Sequence, residues 1–292
     1  MLSRGRCIYD CAFCSQAKSS SSRPDMLSRV IWPEYPVDEV RQALKKSSVL
    51  RVCIQTVPYP GYTRSLARLL VALKEAGKPV SVAITSVSRR VLQRLKDAGA
   101  ERVGIGLDAA SPKVFMRVKR GLTWSGVWRT IREALSVFGR GHVSCHLIAG
   151  LGESDLELTS TATVLVSMGC RVGLFALTPL PGTRMCAAER PSIERYRGLQ
   201  LALYLIQEHG ARARDFKFSS AGSLTGLGRW ASLAESEAHS LRPFLTSGCP
   251  GCNRPFYNES PLGPIYNYPS LSLAKRDEDE IAQQVKRLLA TC

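Results

Sequence analysis

The chain has 292 residues, of which 45% are hydrophobic and 22% are charged, and no apolar run approaches the roughly 18 residues of a membrane span. This composition is typical of a soluble globular protein and argues against a membrane protein, so we expect a cytoplasmic location. Lys and Arg exceed Asp and Glu by 40 to 24, and the net charge of +16 favours an acidic partner such as nucleic acid, an anionic membrane or an acidic protein.

The first feature along the chain is a C-x3-C-x2-C loop formed by Cys7, Cys11 and Cys14. Three thiols this close can point at one centre, yet they leave the fourth iron of a cubic cluster without a protein ligand. Zinc is an alternative, although C-x3-C is an uncommon zinc spacing and no His stands nearby. Disulfides are disfavoured, because ten cysteines without an export signal indicate a reducing compartment. The loop therefore predicts an iron-sulfur cluster with one open iron.

Two features around this loop are irregular. Only six residues precede Cys7, which is short for a first barrel strand, so we expect that the native chain starts earlier than this sequence does. Residues 15–36 are polar and Ser-rich, a composition that predicts a mobile connection.

Helices and strands alternate from residue 37 onward. Short apolar strands between amphipathic helices indicate parallel strands covered by helices. The predicted helices are 37–46, 63–76, 88–98, 125–138 and 155–168, and the predicted strands are 49–55, 80–85, 102–107, 143–148 and 171–177. We therefore predict an α/β fold: a full or partial (β/α) TIM-type barrel over residues 1–220, with an irregular, cysteine-bearing extension over residues 221–292.

The cysteine loop and two strand ends together resemble the radical S-adenosylmethionine (SAM) superfamily. The strand ends carry Asp108, followed by a Ser-Pro pair, and the Gly-Leu-Gly-Glu run from Gly150 to Glu153. The resemblance implies that SAM binds the open iron and is cleaved to a 5′-deoxyadenosyl radical. It also implies that Asp108 contacts the ribose, that Gly150 and Glu153 lie beside the adenine, and that Arg129 binds the SAM carboxylate. Each strand end taken alone could be an ordinary turn.

Further matches point to biotin synthase within that superfamily. Cys53 and Cys145 match positions where biotin synthase holds a second, sulfur-donating cluster, but a third such position falls at Ala83. Alanine cannot bind iron, so biotin formation is in doubt. We favour a packing role for Cys145.

A second cysteine pair, Cys249 and Cys252, stands on a Pro-Gly turn in the extension. The C-x2-C spacing suits either an iron-sulfur cluster or structural zinc. Two sulfurs close neither site, so further ligands must come from elsewhere, with Cys53, Cys186 and Cys292 as candidates. We predict an auxiliary cluster held by Cys249, Cys252 and Cys53, with zinc as the alternative.

The run C-P-G-C-N-R-P-F-Y-N-E at residues 249–259 makes the chain resemble archaeal biotin-synthase-like proteins that include the components of a two-protein lipoyl synthase. That resemblance implies sulfur insertion into an octanoyl chain on a carrier-protein lysine. The implied partners are an acidic lipoyl carrier protein or octanoyl-lysine peptide, a second radical SAM component, and an electron donor such as ferredoxin. No membrane partner is expected.

Two other functions stay open at this stage. One is a radical SAM enzyme that modifies a cofactor or RNA without inserting sulfur, with zinc at Cys249 and Cys252. The other is a basic zinc-dependent nucleic-acid-binding module without catalysis, which is disfavoured because no stripe of interleaved aromatic and basic residues is visible.

Overall fold

The structure is a computed structural model that describes residues 1–252, 254, 259 and 262–289, except for the side chains of residues 287–289. Cys292 and most of the run that follows Cys252 therefore lie outside the described residues. The strands are β1 (Asp10–Cys11), β2 (Met26–Leu27), β3 (Val30–Ile31), β4 (Val52–Gln55), β5 (Val80–Ile84), β6 (Ala100–Asp108), β7 (Lys119–Arg120), β8 (Val143–Ala149), β9 (Arg171–Ala176), β10 (Lys217–Phe218) and β11 (Leu224–Gly226).

Helices cover the outer side of the sheet and form much of the carboxyl-terminal part. They are α1 (Val37–Lys46), α2 (Tyr62–Leu73), α3 (Arg89–Asp97), α4 (Pro112–Val118), α5 (Trp124–Phe138), α6 (Asp155–Met168), α7 (Ile193–Glu208), α8 (Ala231–Ser240), α9 (Leu271–Arg276) and α10 (Glu278–Leu289). Short 3-10 helices lie at Lys74–Ala76, Ala213–Asp215, Gly228–Trp230 and Arg242–Phe244.

The central sheet contains five parallel strands in the order β4-β5-β6-β8-β9. The predicted strands and helices are all present with nearly the same bounds, and the predicted α/β fold is confirmed as a partial barrel. Helices α4, α7, α8 and α9 were not predicted. None of the helices in the described part of the chain is both long and apolar enough to cross a membrane.

Before the cysteine loop, the described residues form a single parallel bridge with the segment that follows β4. The amide of Leu2 donates to Gln55 O at 2.7 Å, and Leu2 O accepts from the Val57 amide at 2.9 Å. Leu2 is thereby a parallel bridge partner of Thr56, just beyond β4. This bridge holds the cysteine loop at the carboxyl end of the sheet.

The polar stretch at residues 15–36 is held by hydrogen bonds near its start, although its composition predicted mobility. The side chain of Gln16 is 1% exposed, and its amide nitrogen donates to Pro24 O at 2.8 Å and to Met26 O at 2.5 Å. Strands β2 and β3 then pair in an antiparallel hairpin. Leu27 and Val30 of this hairpin line the cavity inside the partial barrel.

A buried arginine on α7 anchors the carboxyl-terminal extension. The guanidinium of Arg197 donates to Tyr266 O and Ile265 O, both at 2.7 Å. It also lies 5.2 Å and 5.3 Å from the ring centroids of Phe244 and Tyr268. Since an unpaired buried charge is costly, these contacts fix the extension against the side of the barrel.

Candidate active site and cysteine groups

The first cysteine loop lies at the carboxyl end of the sheet, where barrel enzymes place their chemistry. Strand β1 of the loop pairs antiparallel with β7, so that Cys11 is the register partner of Lys119. Cys14 and Asp108, at the end of β6, both line the same cavity. The loop therefore faces the barrel interior rather than a separate surface.

The three thiols of the loop, Cys7, Cys11 and Cys14, lie close enough to interact electrostatically. Each interacts with another member of the group, and all three are free thiols. Backbone amides point at two of the sulfurs: Tyr9 donates to Cys7 Sγ, and Gln16 donates to Cys14 Sγ, both at 3.4 Å. Hydrogen bonds to ligand sulfurs tune iron-sulfur clusters, so this donor set fits such a cluster.

Burial raises the pKa of the Cys7 and Cys14 thiols to about 11 and that of the Cys11 thiol to about 12. The thiols therefore carry protons at neutral pH until a metal displaces them.

Within the residues that the structure describes, no three His, Cys, Asp or Glu side chains are placed to hold one metal ion. A zinc ion gathers its sulfur ligands at about 2.3 Å. A cubic cluster instead binds each thiolate through a different iron atom, so its ligand sulfurs are spread more widely. Neither cysteine group therefore forms a preformed single-ion site among the described residues.

A cavity of about 510 Å³ runs through the interior of the partial barrel. Cys14 and Asp108 line it near the carboxyl ends of the strands, and Cys53, the second residue of β4, lines it together with Cys249 and Cys252. The lining as a whole is mainly apolar, as expected for a site that binds a small organic group. Its larger apolar members include Phe13, Trp32, Ile148, Phe175, Leu177 and Leu180.

Asp108 is paired with a buried lysine that the sequence did not reveal as a site residue. Lys119 Nζ donates to Asp108 Oδ2 at 2.6 Å and also to Gly106 O, while its side chain is 2% exposed. Burial by itself lowers the pKa of Lys119. Its electrostatic interactions with Asp108, Cys11 and then Cys14 outweigh that effect, so the pKa is raised. Asp108 Oδ2 thus accepts a hydrogen bond from Lys119. The predicted contact of Asp108 with a SAM ribose stays a prediction.

Gly150 and Glu153 lie in a turn that is held by a hydrogen bond between them. Neither residue lines the cavity described above. Glu153 Oε1 accepts from the Gly150 amide at 2.8 Å and lies 3.6 Å from Arg195 Nη2. Burial raises the pKa of Glu153, although the Gly150 bond opposes this. Gly150 has φ +103°, a conformation that favours glycine. The predicted adenine contact is therefore untested, and the local role of Glu153 is to hold the turn.

Arg129 is exposed on α5 and does not line the cavity. Its predicted contact with the SAM carboxylate stays a prediction. Arg254 does line the cavity, with its guanidinium 3.9 Å from the Phe175 ring centroid. The sequence did not single out Arg254, because only the three-dimensional path of the extension places it there.

Cys249 and Cys252 lie close to Cys53, which is in the amino-terminal half of β4. Burial raises the pKa of Cys53 to about 11, and the next contributions come from Cys249 and Cys252. Arg51, just before β4, donates through Nε to Pro250 O at 3.2 Å. The structure thus brings together the three cysteines that the sequence predicted for an auxiliary site, and the Cys53 thiol among them is exposed. Cys186 is also exposed but does not line this cavity.

Cys145 has the packing role that the sequence favoured. It is fully buried, its thiol forms a hydrogen bond with Cys170, and its neighbours Ser144 and His146 line the cavity instead. Burial lowers the pKa of His146 to about 4, so its imidazole is neutral at neutral pH.

On β5, Ala83 lines the cavity. However, the register partner of Cys53 is Ser81, whose hydroxyl donates to Cys249 Sγ at 3.3 Å. The comparison with biotin synthase missed Ser81 because it placed the third cluster-ligand position at Ala83.

Residues 2–165, more than half of the chain, match the family described as the Radical SAM superfamily. The chain belongs to the radical SAM superfamily. Membership implies a [4Fe-4S] cluster and SAM as its cofactors. The loop of Cys7, Cys11 and Cys14 lies within the matched residues.

Curated relatives of this radical SAM protein include biotin synthases. That of Aquifex aeolicus (strain VF5) is 27% identical over 207 residues, which are 68% of this chain and 59% of the relative. That of Persephonella marina (strain DSM 14350 / EX-H1) is 27% identical over 186 residues, or 61% of this chain and 53% of the relative. The chain thus spans between about half and three fifths of these relatives.

Solved structures show the same fold. Methylornithine synthase (PylB) aligns with a TM-score of 0.55 at 15% identity, covering 69% of this chain and 59% of that one. The FeFe-hydrogenase maturase HydG from Carboxydothermus hydrogenoformans aligns with a TM-score of 0.53 at 18% identity, covering 69% of this chain and 49% of that one. These likenesses support the partial radical SAM barrel.

Proposed function

We propose that this radical SAM protein inserts sulfur into an octanoyl chain carried on a protein lysine, as a component of a lipoyl synthase. The observation that carries the proposal is one mainly apolar cavity that is lined by Cys14 of the first cysteine group and by Cys53, Cys249 and Cys252 of the second. One group would serve radical formation and the other would supply sulfur. The similarity to biotin synthases supports sulfur insertion as the reaction class.

Cys7, Cys11 and Cys14 are the proposed ligands of the SAM-binding [4Fe-4S] cluster. When bound, the cluster and SAM supply a 5′-deoxyadenosyl radical that can abstract hydrogen from an unactivated carbon. The chain's own contribution is to exclude water and fix charge: Lys119 is a buried cation that interacts electrostatically with Cys11 and Cys14. A buried positive charge favours the thiolate form of its neighbours.

Cys53, Cys249 and Cys252 are the proposed ligands of a second, sulfur-bearing cluster. Two cations face this group, since Arg254 interacts with Cys53, and Arg254 and Arg51 both interact with Cys252. Such a setting suits a thiolate group that carries net negative charge. Structural zinc is the alternative occupant.

The cavity wall supports an alkyl substrate. An octanoyl chain is apolar over most of its length and would bury its methylene groups against Ile148, Phe175 and Leu177. A neutral His146 on the same wall adds no charge to the passage.

The proposed partners are acidic proteins. A net charge of +16 would steer an acidic lipoyl carrier domain, and a second radical SAM component is proposed to share the two insertions. For an acidic electron donor such as ferredoxin, Arg120 and Arg184 supply positive charge beside Asp10 of the cysteine loop. We propose the cytoplasm as the location, on the argument from cysteine usage.

The deciding experiment offers an octanoylated carrier peptide to the protein reconstituted with iron and sulfide, in the absence and presence of candidate second components. We expect about eight irons per chain and a peptide mass gain that corresponds to added sulfur. About four irons per chain, or 5′-deoxyadenosine without any mass gain, would instead support a radical SAM enzyme that does not insert sulfur. Metal analysis of Cys249→Ala separates a lost cluster from lost zinc.

A bulky substitution in the middle of the cavity tests the substrate path. Ala83 on β5 lies opposite Gly104 of β6, where the wall has little side-chain volume. Ala83→Phe is expected to lower product formation roughly 100-fold by displacing the substrate, while abortive SAM cleavage continues. The ratio of 5′-deoxyadenosine to product measures this effect. Val71→Phe, at a 55% exposed position, is the control, and an unchanged ratio in Ala83→Phe would show that the substrate binds elsewhere.

A further inference from the structure

Five exposed arginines form a basic face on the outer helices of the partial barrel. They are Arg64 and Arg68 on α2, Arg90 and Arg94 on α3, and Arg132 on α5. Helix α3 packs between α2 and α5, so the three helices present one continuous surface. The buried residues of each helix lie on its opposite side, and the arginines therefore point to solvent.

The positive charge of the basic face is not compensated within the chain. Among the described residues, none of its five arginines forms an ion pair, whereas Arg41, Arg171 and Arg229 elsewhere on the surface each pair with a carboxylate. Within α2 and within α3, the two arginines are also four residues apart, a spacing at which like charges repel. An arrangement that lowers stability and has no partner in the chain indicates a partner outside it.

Charge is distributed unevenly among the helices. Helices α2, α3 and α5 carry eight basic and two acidic side chains, and none of their first turns contains an acidic residue. Helices α6, α7 and α8 instead carry two side chains of Lys or Arg and six acidic ones. Since the amino-terminal end of a helix already has a partial positive charge, Arg64 and Arg90 in the first turns of α2 and α3 add to it. The positive potential is therefore concentrated on the basic face, where it can orient an acidic partner.

The basic face lies beside the first cysteine group. Helix α2 follows β4 and α3 follows β5, so their first turns are at the carboxyl-terminal edge of the sheet. Tyr62, the first residue of α2, interacts electrostatically with Cys7. The Ile8 amide donates to Pro58 O at 2.9 Å, which ties the cysteine loop to the segment before α2. A protein bound on this face is thus held next to the edge of the sheet where Cys14 lines the cavity.

The surroundings of the basic face favour an acidic protein over a nucleic acid. Proteins that bind single strands stack the bases on exposed aromatic rings among their basic residues. On α2 and α5, Tyr62 is 8% exposed, and Trp124 and Trp128 are partly buried and pack against the core. The arginines therefore offer charge without a stacking surface, which suits the carboxylates of a folded partner.

We propose that the basic face docks the acidic carrier domain that presents the octanoyl-lysine, a partner that rests on the function proposed above. Carboxylates of the carrier would pair with the five guanidinium groups, and the docked domain would hold its lysine arm at the carboxyl-terminal edge of the sheet. The arginines act in binding and positioning of the carrier, and no bond of the substrate is made or broken at them.

The test compares the protein reconstituted with iron and sulfide with a variant that carries Arg64→Gln, Arg68→Gln, Arg90→Gln and Arg94→Gln. A control variant loses the same charge at exposed positions outside the basic face, through Arg214→Gln, Lys217→Gln, Lys275→Gln and Arg276→Gln. Two substrates are used with dithionite as the reductant: an octanoylated carrier domain of net negative charge and an uncharged octanoyl-lysine peptide. The kcat and KM are measured for each substrate, and the Kd of the carrier domain is measured by fluorescence anisotropy at low and at physiological ionic strength.

We expect the four substitutions on the basic face to raise the KM and Kd for the carrier domain about tenfold or more at low ionic strength, where charges are least screened. The difference from the unaltered protein should shrink at physiological ionic strength. The kcat for the carrier domain and both constants for the uncharged peptide should be nearly unchanged, and the control variant should match the unaltered protein.

Four results would overturn the proposal, and they differ from one another. An equal Kd in both variants, with sulfur still added, would place carrier binding elsewhere and leave the proposed function intact. A KM raised equally for the peptide would show that the arginines affect the fold or the cavity rather than docking. Tighter binding of an RNA hairpin than of the carrier domain, weakened by the four substitutions, would make a nucleic acid the partner. If the unaltered protein adds sulfur to neither substrate, the proposed function fails and the carrier domain is removed as the partner with it.

Discussion

Replacing Cys11 with alanine is expected to abolish 5′-deoxyadenosine formation and to lower the iron content by about four per chain. Cys11 is central in the loop because its register partner is Lys119 and its thiol interacts with Cys14. Two remaining thiols cannot supply the three ligands that a SAM-binding cluster needs. Iron and sulfide analysis, together with chromatography of SAM cleavage products, measures the loss.

Cys170→Ala is the matched control for that substitution. Cys170 is 3% exposed, and its thiol is hydrogen-bonded to that of Cys145, away from both cysteine groups. Replacing it should therefore leave the iron content unchanged. If Cys11→Ala keeps all of its iron and still cleaves SAM, then Cys7, Cys11 and Cys14 are not the ligands and the proposed radical chemistry has no site.

Local patterns in the sequence were sufficient to predict the sheet and the first cysteine group. Mainly apolar strands such as Arg171–Ala176 are largely buried on both faces, and their composition is distinct from that of the amphipathic helices between the strands. Cys7, Cys11 and Cys14 lie within eight residues, so their proximity is imposed by the chain itself. These features need no knowledge of tertiary packing.

Which residues face the cavity could not be predicted, because alternation along a strand turns neighbouring residues to opposite faces. Ser144 and His146 line the cavity, whereas Cys145 between them packs against Cys170. A sequence match displaced by one residue therefore selects the wrong face. Ser81 was missed for a related reason, since its significance depends on strand register and on the distant Cys249.

Buried charges were also beyond the reach of the sequence. Lys119 follows Arg117 in a basic run that is typical of an exposed helix end. The structure instead turns Lys119 inward at β7, where Asp108 compensates its charge. Arg197 was overlooked for the same reason, because its partners Ile265 and Tyr266 lie almost 70 residues away. Long-range pairs of this kind decide where a charge can be buried.

Lys119→Met is expected to lower the free energy of unfolding by about 3–5 kcal/mol, since it leaves the Asp108 carboxylate without its partner. The side chains of Lys119 and Asp108 are only 2% and 15% exposed, so solvent does little to screen the pair. Methionine keeps much of the volume of lysine, and the loss therefore reports charge rather than a cavity. Denaturant unfolding followed by circular dichroism gives the value.

The double variant Lys119→Met with Asp108→Asn separates the structural part of this effect from the part that acts on the cluster. Removing both charges leaves no unpaired ion, so most of the lost stability should return. Iron retention should not return, because Cys11 and Cys14 have lost the buried cation that favours their thiolate forms. If the double variant holds iron and cleaves SAM like the unaltered protein, then Lys119 serves the fold alone; if it stays as unstable as Lys119→Met, then the ion pair with Asp108 is not the source of the stability.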